Sequence, residues 1–141
     1  MVDNQIQAKV ILFHRKMNTE QFVKELSSAQ SFMAEEEYEK ALEVLYNLRE
    51  IEKKGDFDYS LTHKLYQLIS NSESLLNQQK ILGILKKFES QREKIAFDSL
   101  SKILKDENNF SLESGTIRRE IEMLILRGKV NYKIQGDSLI L

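Results

Sequence analysis

Along the last half of the chain the apolar positions switch repeatedly between helical and strand spacing. From Asn77-Gln78-Gln79-Lys80 onward, Ile81, Ile84, Leu85 and Phe88 recur on one stripe of the 3.6-residue period, which predicts an amphipathic helix. Glu93-Lys94-Ile95-Ala96-Phe97 alternates and carries β-type residues, which predicts a short strand. Asp98 follows where a carboxylate can accept a bond from a free first-turn N–H, so it is the expected cap of the next helix. That helix buries Leu100, Ile103 and Leu104 and ends at Asn108-Asn109. A third helix opens near Ser111 or Ser114 and runs to Arg127, with Ile117, Ile121, Leu124 and Ile125 as its core face. Gly128 fits the left-handed position that ends a helix. Val130, Tyr132 and Ile134 then alternate with Asn131 and Lys133, Gln135-Gly136-Asp137 makes a tight turn, and Ser138-Leu139-Ile140-Leu141 returns as a second strand.

The first half has helical spacing throughout. Asp3 is placed to cap a helix carrying Ile6, Val10, Phe13 and Met17. Asn18 and Gln21 have capping-box spacing and open a helix with Phe22, Val23, Leu26, Ala29, Phe32 and Met33. Glu35, Glu36 and Glu37 are expected in the first turn of the next helix, where negative charge meets the positive end of the dipole. Its body carries Tyr38, Ala41, Leu42, Val44, Leu45, Leu48 and Ile51, with Lys53-Lys54 at the end and Gly55 after it. These apolar residues cover more than one stripe, so neighbours should pack on two sides. Asp56 to Ser60 reads as a turn, and Leu61, Leu65, Leu68 and Ile69 as a further helix.

The order helix, strand, helix, helix and two-stranded hairpin over residues 76–141 is that of a winged helix. The expected fold is therefore mostly α: antiparallel helical hairpins over residues 1–75, then a winged helix with a small antiparallel sheet. The joint reads two ways. Ser70-Asn71-Ser72-Glu73-Ser74 is a poor helix interior by propensity. Yet no Pro or Gly interrupts Tyr59 to Leu82, so one long helix can cross it and would hold the two halves rigidly.

A chain of 141 residues suits one domain or two small ones. It can bury about 68% of its unfolded surface without covalent staples. The absence of Cys removes any disulfide framework or thiolate metal site. No apolar run approaches the roughly 20 residues that cross a bilayer, and Met1-Val2-Asp3-Asn4 lacks the start of a signal peptide. A soluble cytoplasmic protein with no membrane partner is expected. Charge divides along the chain: residues 1–75 hold 9 Lys and Arg against 13 Asp and Glu, a net −4, and residues 76–141 hold 12 against 9, a net +3. Dedicated nucleic-acid binders are usually more basic than that.

Ala29, Phe32, Tyr38, Ala41, Leu42 and Leu45 resemble one tetratricopeptide-type helix hairpin, in which small residues allow close approach and aromatics fill the gap. Glu36 stands where a turn glycine is usual, and no Pro closes the unit. A helical repeat running into a winged helix resembles the PCI domain. The run from Ile95 to Leu100 and the run from Ile121 to Val130 look like that family's winged-helix core. The chain is short for the family, which suggests a minimal, archaeal-type version. The resemblance implies protein assembly in a multi-subunit complex, sometimes with RNA contact, rather than catalysis.

The residues themselves offer little for catalysis. His14 and His63 are lone, Glu35 to Glu37 lacks the ligand spacing of a cation loop, and the glycines are too scattered for a phosphate loop. Ser114-Gly115-Thr116 lacks the pattern of a nucleophile elbow. No catalytic residue, cofactor, metal site or small-molecule substrate is expected. The third helix, which enters the major groove in DNA-binding winged helices, carries Arg118 and Arg119 as candidate phosphate or base contacts. Glu120 and Glu122 beside them, and Asp137 at the wing tip, would repel phosphates. The expected function is a scaffold or adaptor that binds a protein partner or itself through Arg118, Glu122, Met123, Asn131 and Lys133. The alternative is a nucleic-acid-binding regulator, with weak, non-specific binding the most the charge supports. The last strand is expected between the other two, leaving Val130 to Ile134 as an open edge.

Overall fold

The structure is a computed structural model and describes residues 17–141. The helix expected from Asp3 lies outside these residues, apart from Met17, which is buried ahead of the first described helix. Among the described residues the order is α1 (Thr19–Ala34), α2 (Tyr38–Lys54), α3 (Tyr59–Phe88), β1 (Lys94–Ala96), α4 (Phe97–Asn108), α5 (Ser114–Leu126), β2 (Lys133–Gln135) and β3 (Ser138–Ile140). The chain is mostly helical with one three-stranded antiparallel sheet. It divides into two compact units between Glu73 and Ser74.

In the first unit α1 opens on the expected capping box. Asn18 Oδ1 accepts from the Gln21 N–H at 2.9 Å, and Gln21 Oε1 accepts from the Asn18 N–H at 3.1 Å, so two orphan first-turn donors are satisfied reciprocally. Phe22, Leu26 and Ala29 form its buried stripe, and Val23 faces out. The helix closes in a Schellman motif: the Glu37 N–H donates to Phe32 O at 2.9 Å and the Glu36 N–H to Met33 O at 3.0 Å. That motif needs a left-handed residue, and Glu36 supplies it at φ 60°. The acidic run is therefore the turn between the helices. It was expected in the first turn of α2, but the Schellman closure uses Glu35 to Glu37, and only Glu39 of the acidic residues lies in that turn.

α2 packs on α1 and buries Ala41, Leu42, Leu45, Leu48 and Ile51, with Tyr38 and Val44 half-buried on the same face. Lys53 and Lys54 sit in its last turn, where cations complement the negative end of the dipole. Gly55 caps it with φ −109°, an ordinary extended backbone. Space is what a side chain would lack here, since a Cβ would come within 2.4 Å of the Phe57 ring. That ring in turn packs on Phe22, with centroids 4.5 Å apart.

α3 settles the joint as one helix of 30 residues, and Asn77 opens nothing. Within the serine-rich stretch Ser72 is fully buried while Ser70, Asn71 and Glu73 are exposed, and Gln78 beyond it is nearly buried. Leu65, Leu68 and Ile69 are buried in the first unit, and Ile81, Ile84 and Leu85 in the second. Weak local propensity is outweighed by apolar stripes on either side of it.

The sheet of the second unit has the order β1-β3-β2. β3 is central, with Leu139 opposite Ile95 on one side and Ile134 on the other. Ile81, Ile84, Leu85, Ile95, Phe97, Leu100, Leu104, Ile117, Ile121, Tyr132 and Leu139 form one core. Leu124 was expected in that core; it is buried, but outside this cluster. Three local expectations change. β1 is shorter than expected, because Phe97 already belongs to α4. Asp98 does not cap α4: Ala96 is the capping residue and Asp98 lies in the first turn, where the Ser114 hydroxyl donates to its carboxylate. β2 begins at Lys133, so Val130, Asn131 and Tyr132 approach the sheet without joining it. Asn109 at φ 51° ends α4 and Gly128 at φ 70° ends α5 in the left-handed conformation expected of both types.

Candidate interaction surface

α5 carries the charged residues singled out in the sequence, and their surroundings decide what each can do. The Arg118 Nε donates to Glu122 Oε1 at 3.2 Å, one turn apart, and its Nη1 donates to the Gly136 carbonyl at the wing tip at 3.4 Å. The guanidinium also lies 5.9 Å from the Phe97 ring centroid. Arg118 and Glu122 are thus brought together, and they satisfy each other. Arg119 is exposed, with Nε 3.6 Å from Glu120 Oε1. Both guanidiniums stand next to carboxylates, whose negative charge opposes an approaching phosphate.

Glu120 corrects the expectation of a row of surface carboxylates. It is 2% exposed and accepts from the Ser74 hydroxyl at 2.5 Å and from Gln78 Nε2 at 3.3 Å. A buried carboxylate is costly unless its lone pairs are filled; the two α3 donors serve Oε2, and the Arg119 guanidinium lies beside Oε1. Glu120 is a bolt between α3 and α5 within the second unit, which the sequence presents only as one more charge in a charged helix.

Of the remaining predicted residues, Met123 is half-buried, and Asn131 and Lys133 are exposed. Asn131 was expected inside the edge strand; it precedes β2 and is not part of the ladder. Lys133 is the first residue of β2, which lies at the edge of the sheet. An edge strand presents backbone N–H and C=O groups to another chain.

Beside that edge lies an open hollow of about 560 Å³, lined by Glu122, Ile125, Leu126, Tyr132, Lys133 and Ile134. Leu126, the last residue of α5, is 81% exposed there. A second hollow of about 410 Å³ is lined by Leu82, Lys86, Glu89, Lys129, Val130, Asn131 and Tyr132. Tyr132 stands in both walls and donates its hydroxyl to the Glu89 carboxylate. Burial, then that bond and the carboxylate charge, push the phenol well above its ordinary range. Ile125 and Ile134 were read as inward-facing residues, of the third helix and of the edge strand respectively.

For other chemistry there is little to report. His63 is exposed and stacks on Tyr59, with centroids 6.1 Å apart, while His14 lies outside the described residues. Among the described residues no group of three or more His, Cys, Asp or Glu could hold a metal ion, and no helix is long and apolar enough to cross a membrane. Compared with protein-family models, curated proteins and solved structures, the chain matches none of them.

Proposed function

We propose that residues 76–141 form a winged helix and that the protein is a non-enzymatic, PCI-like scaffold or adaptor of the cytoplasm. It joins a partner protein, or a second copy of itself, through the hollow beside β2. The sheet order, with the hairpin strand β3 between β1 and β2, supports the winged-helix reading, as does the succession α3, β1, α4, α5. The α1–α2 pair, closed by a left-handed Glu36 where a tetratricopeptide turn has glycine, supports the helical-repeat reading. The single observation that carries the function is Leu126, 81% exposed in a hollow it shares with Ile125 and Ile134. Large exposed apolar side chains grouped with a polar rim mark protein-binding surfaces. The nucleic-acid reading is weaker, because Arg118 is committed to Glu122 and the wing.

Size exclusion with light scattering, together with capture of partners on the immobilised protein, tests the proposal on the parent chain and on Leu126→Glu. The expected result is an assembly formed by the parent and lost in a folded Leu126→Glu variant. A strictly monomeric parent that retains no protein, or a folded variant that keeps every partner, overturns it.

A further inference from the structure

We infer that the segment this surface accepts is an extended acidic–apolar peptide, with an acidic side chain between Lys86 and Lys129 and an apolar one against Leu126 and Ile134. The inference rests on the proposal that this surface binds protein, and it adds the chemistry of the partner. The two hollows are consecutive along one stretch of chain, since residues 129–132 line the first and residues 132–134 the second, with Tyr132 in both. At about 3.3 Å per residue, that stretch matches about five residues of an extended peptide.

The two halves differ in what they can hold. Lys86 and Lys129 are exposed, and neither forms an ion pair with a described residue. The only carboxylate in their hollow, Glu89, already accepts the Tyr132 hydroxyl. The hollow of about 410 Å³ thus carries two ammonium groups, with six N–H donors between them, against the single Glu89 carboxylate, and so keeps one positive charge in excess. A peptide carboxylate offsets that excess. The neighbouring hollow is walled mainly by aliphatic carbon, and removing Leu126 from water favours an apolar side chain there. A nucleic acid would place phosphates along the whole stretch, against that aliphatic wall and past Glu122, where nothing cationic but Lys133 meets them.

The test uses the full chain and fluorescence anisotropy. The probes are labelled synthetic ten-residue peptides with two adjacent acidic residues and one Leu or Phe two to four positions away. Controls carry Lys in place of the acids or Ser in place of the apolar residue, and a single-stranded oligonucleotide is run alongside. Acidic–apolar peptides should bind saturably, and each control about tenfold more weakly or worse. The Lys86→Glu, Lys129→Glu double variant should lose about tenfold in affinity for the acidic–apolar peptides, and added salt should weaken binding to the parent. Lys-bearing controls that bind equally well, a double variant with unchanged affinity, or an oligonucleotide that binds more tightly through these lysines each overturn the inference. If no acidic–apolar peptide binds while the chain still assembles through Leu126, the partner chemistry falls and the interaction surface stands. If assembly no longer depends on Leu126, both fall.

Discussion

Tyr46 and Tyr132 each donate a phenolic O–H to a carboxylate, Tyr46 to Glu73 at 2.6 Å and Tyr132 to Glu89. Burial first, then the bond and the charge of the acceptor, push the Tyr46 phenol up to about 12 and the Tyr132 phenol further still. A phenol raised above its unfolded value of about 10 stabilises the fold fully below that pH. The contribution is lost as pH rises through the folded values. Near neutral pH these groups should therefore contribute fully without making stability vary with pH, and stability should fall above about pH 10. In an ultraviolet phenolate titration of the folded protein, Tyr46→Phe and Tyr132→Phe should each remove one late-ionising phenol; a variant that removes an early one would contradict the assignment. Glu120 gives a second residue-level expectation. Ser74→Ala leaves its buried carboxylate short of one donor and should cost about 1–3 kcal/mol in denaturant unfolding. These pairs join residues 27, 43 and 46 positions apart, so nothing local in the sequence announces them.

At the scale of elements, most starts and stops were legible because they are local chemistry. The Asn18–Gln21 box and the left-handed ends at Asn109 and Gly128 depend on side chains within a few residues. Asn77, which opens no helix, and Asp98, which does not cap α4, were exceptions, as was Glu36: a left-handed Glu has no residue-type signal, and only the Schellman hydrogen bonds reveal it. Gly83 lies inside α3, exposed, and a Cβ there would meet nothing within 4 Å. Gly83→Ala should therefore stabilise the protein by about 0.5–1 kcal/mol, read as a higher denaturant midpoint at unchanged slope. Ile121 is fully buried in the core of the second unit. Ile121→Ala should cost about 2–5 kcal/mol, and an unchanged midpoint would mean that its helix face is not packed as described.

For the molecule as a whole, charge and surface point in different directions. The C-terminal stretch 76–141 carries a net +3, yet its most exposed large hydrophobic, Leu126, sits amid an apolar wall. Nucleic-acid binding should accordingly be weak and non-specific, and should fall steeply with salt. An electrophoretic shift at low and moderate salt checks this; preference for one duplex by several orders of magnitude at physiological salt would favour a sequence-specific regulator instead. The candidate surface was half legible at this scale. Glu122 and Lys133 were anticipated in it, whereas Tyr132 and Ile134 belong to it only because β2 begins beside the end of α5.

Apolar periodicity and end chemistry in the sequence determined the type and order of the described elements and most of the residues they bury, because each helix or strand must turn one face from water. What only the tertiary structure decided were choices between locally comparable alternatives. The Ser70–Ser74 stretch is helical because Leu65, Leu68 and Ile69 before it and Ile81, Ile84 and Leu85 after it are buried on one continuous helix, which outweighs its low propensity. Glu120 is buried because Ser74 and Gln78 on α3 meet its carboxylate, which water would otherwise have to do. Leu126 is exposed because α5 ends there with that side chain turned away from the face that buries Leu124. Burial of a single side chain depends on its neighbours in space, and those are set only when distant elements pack.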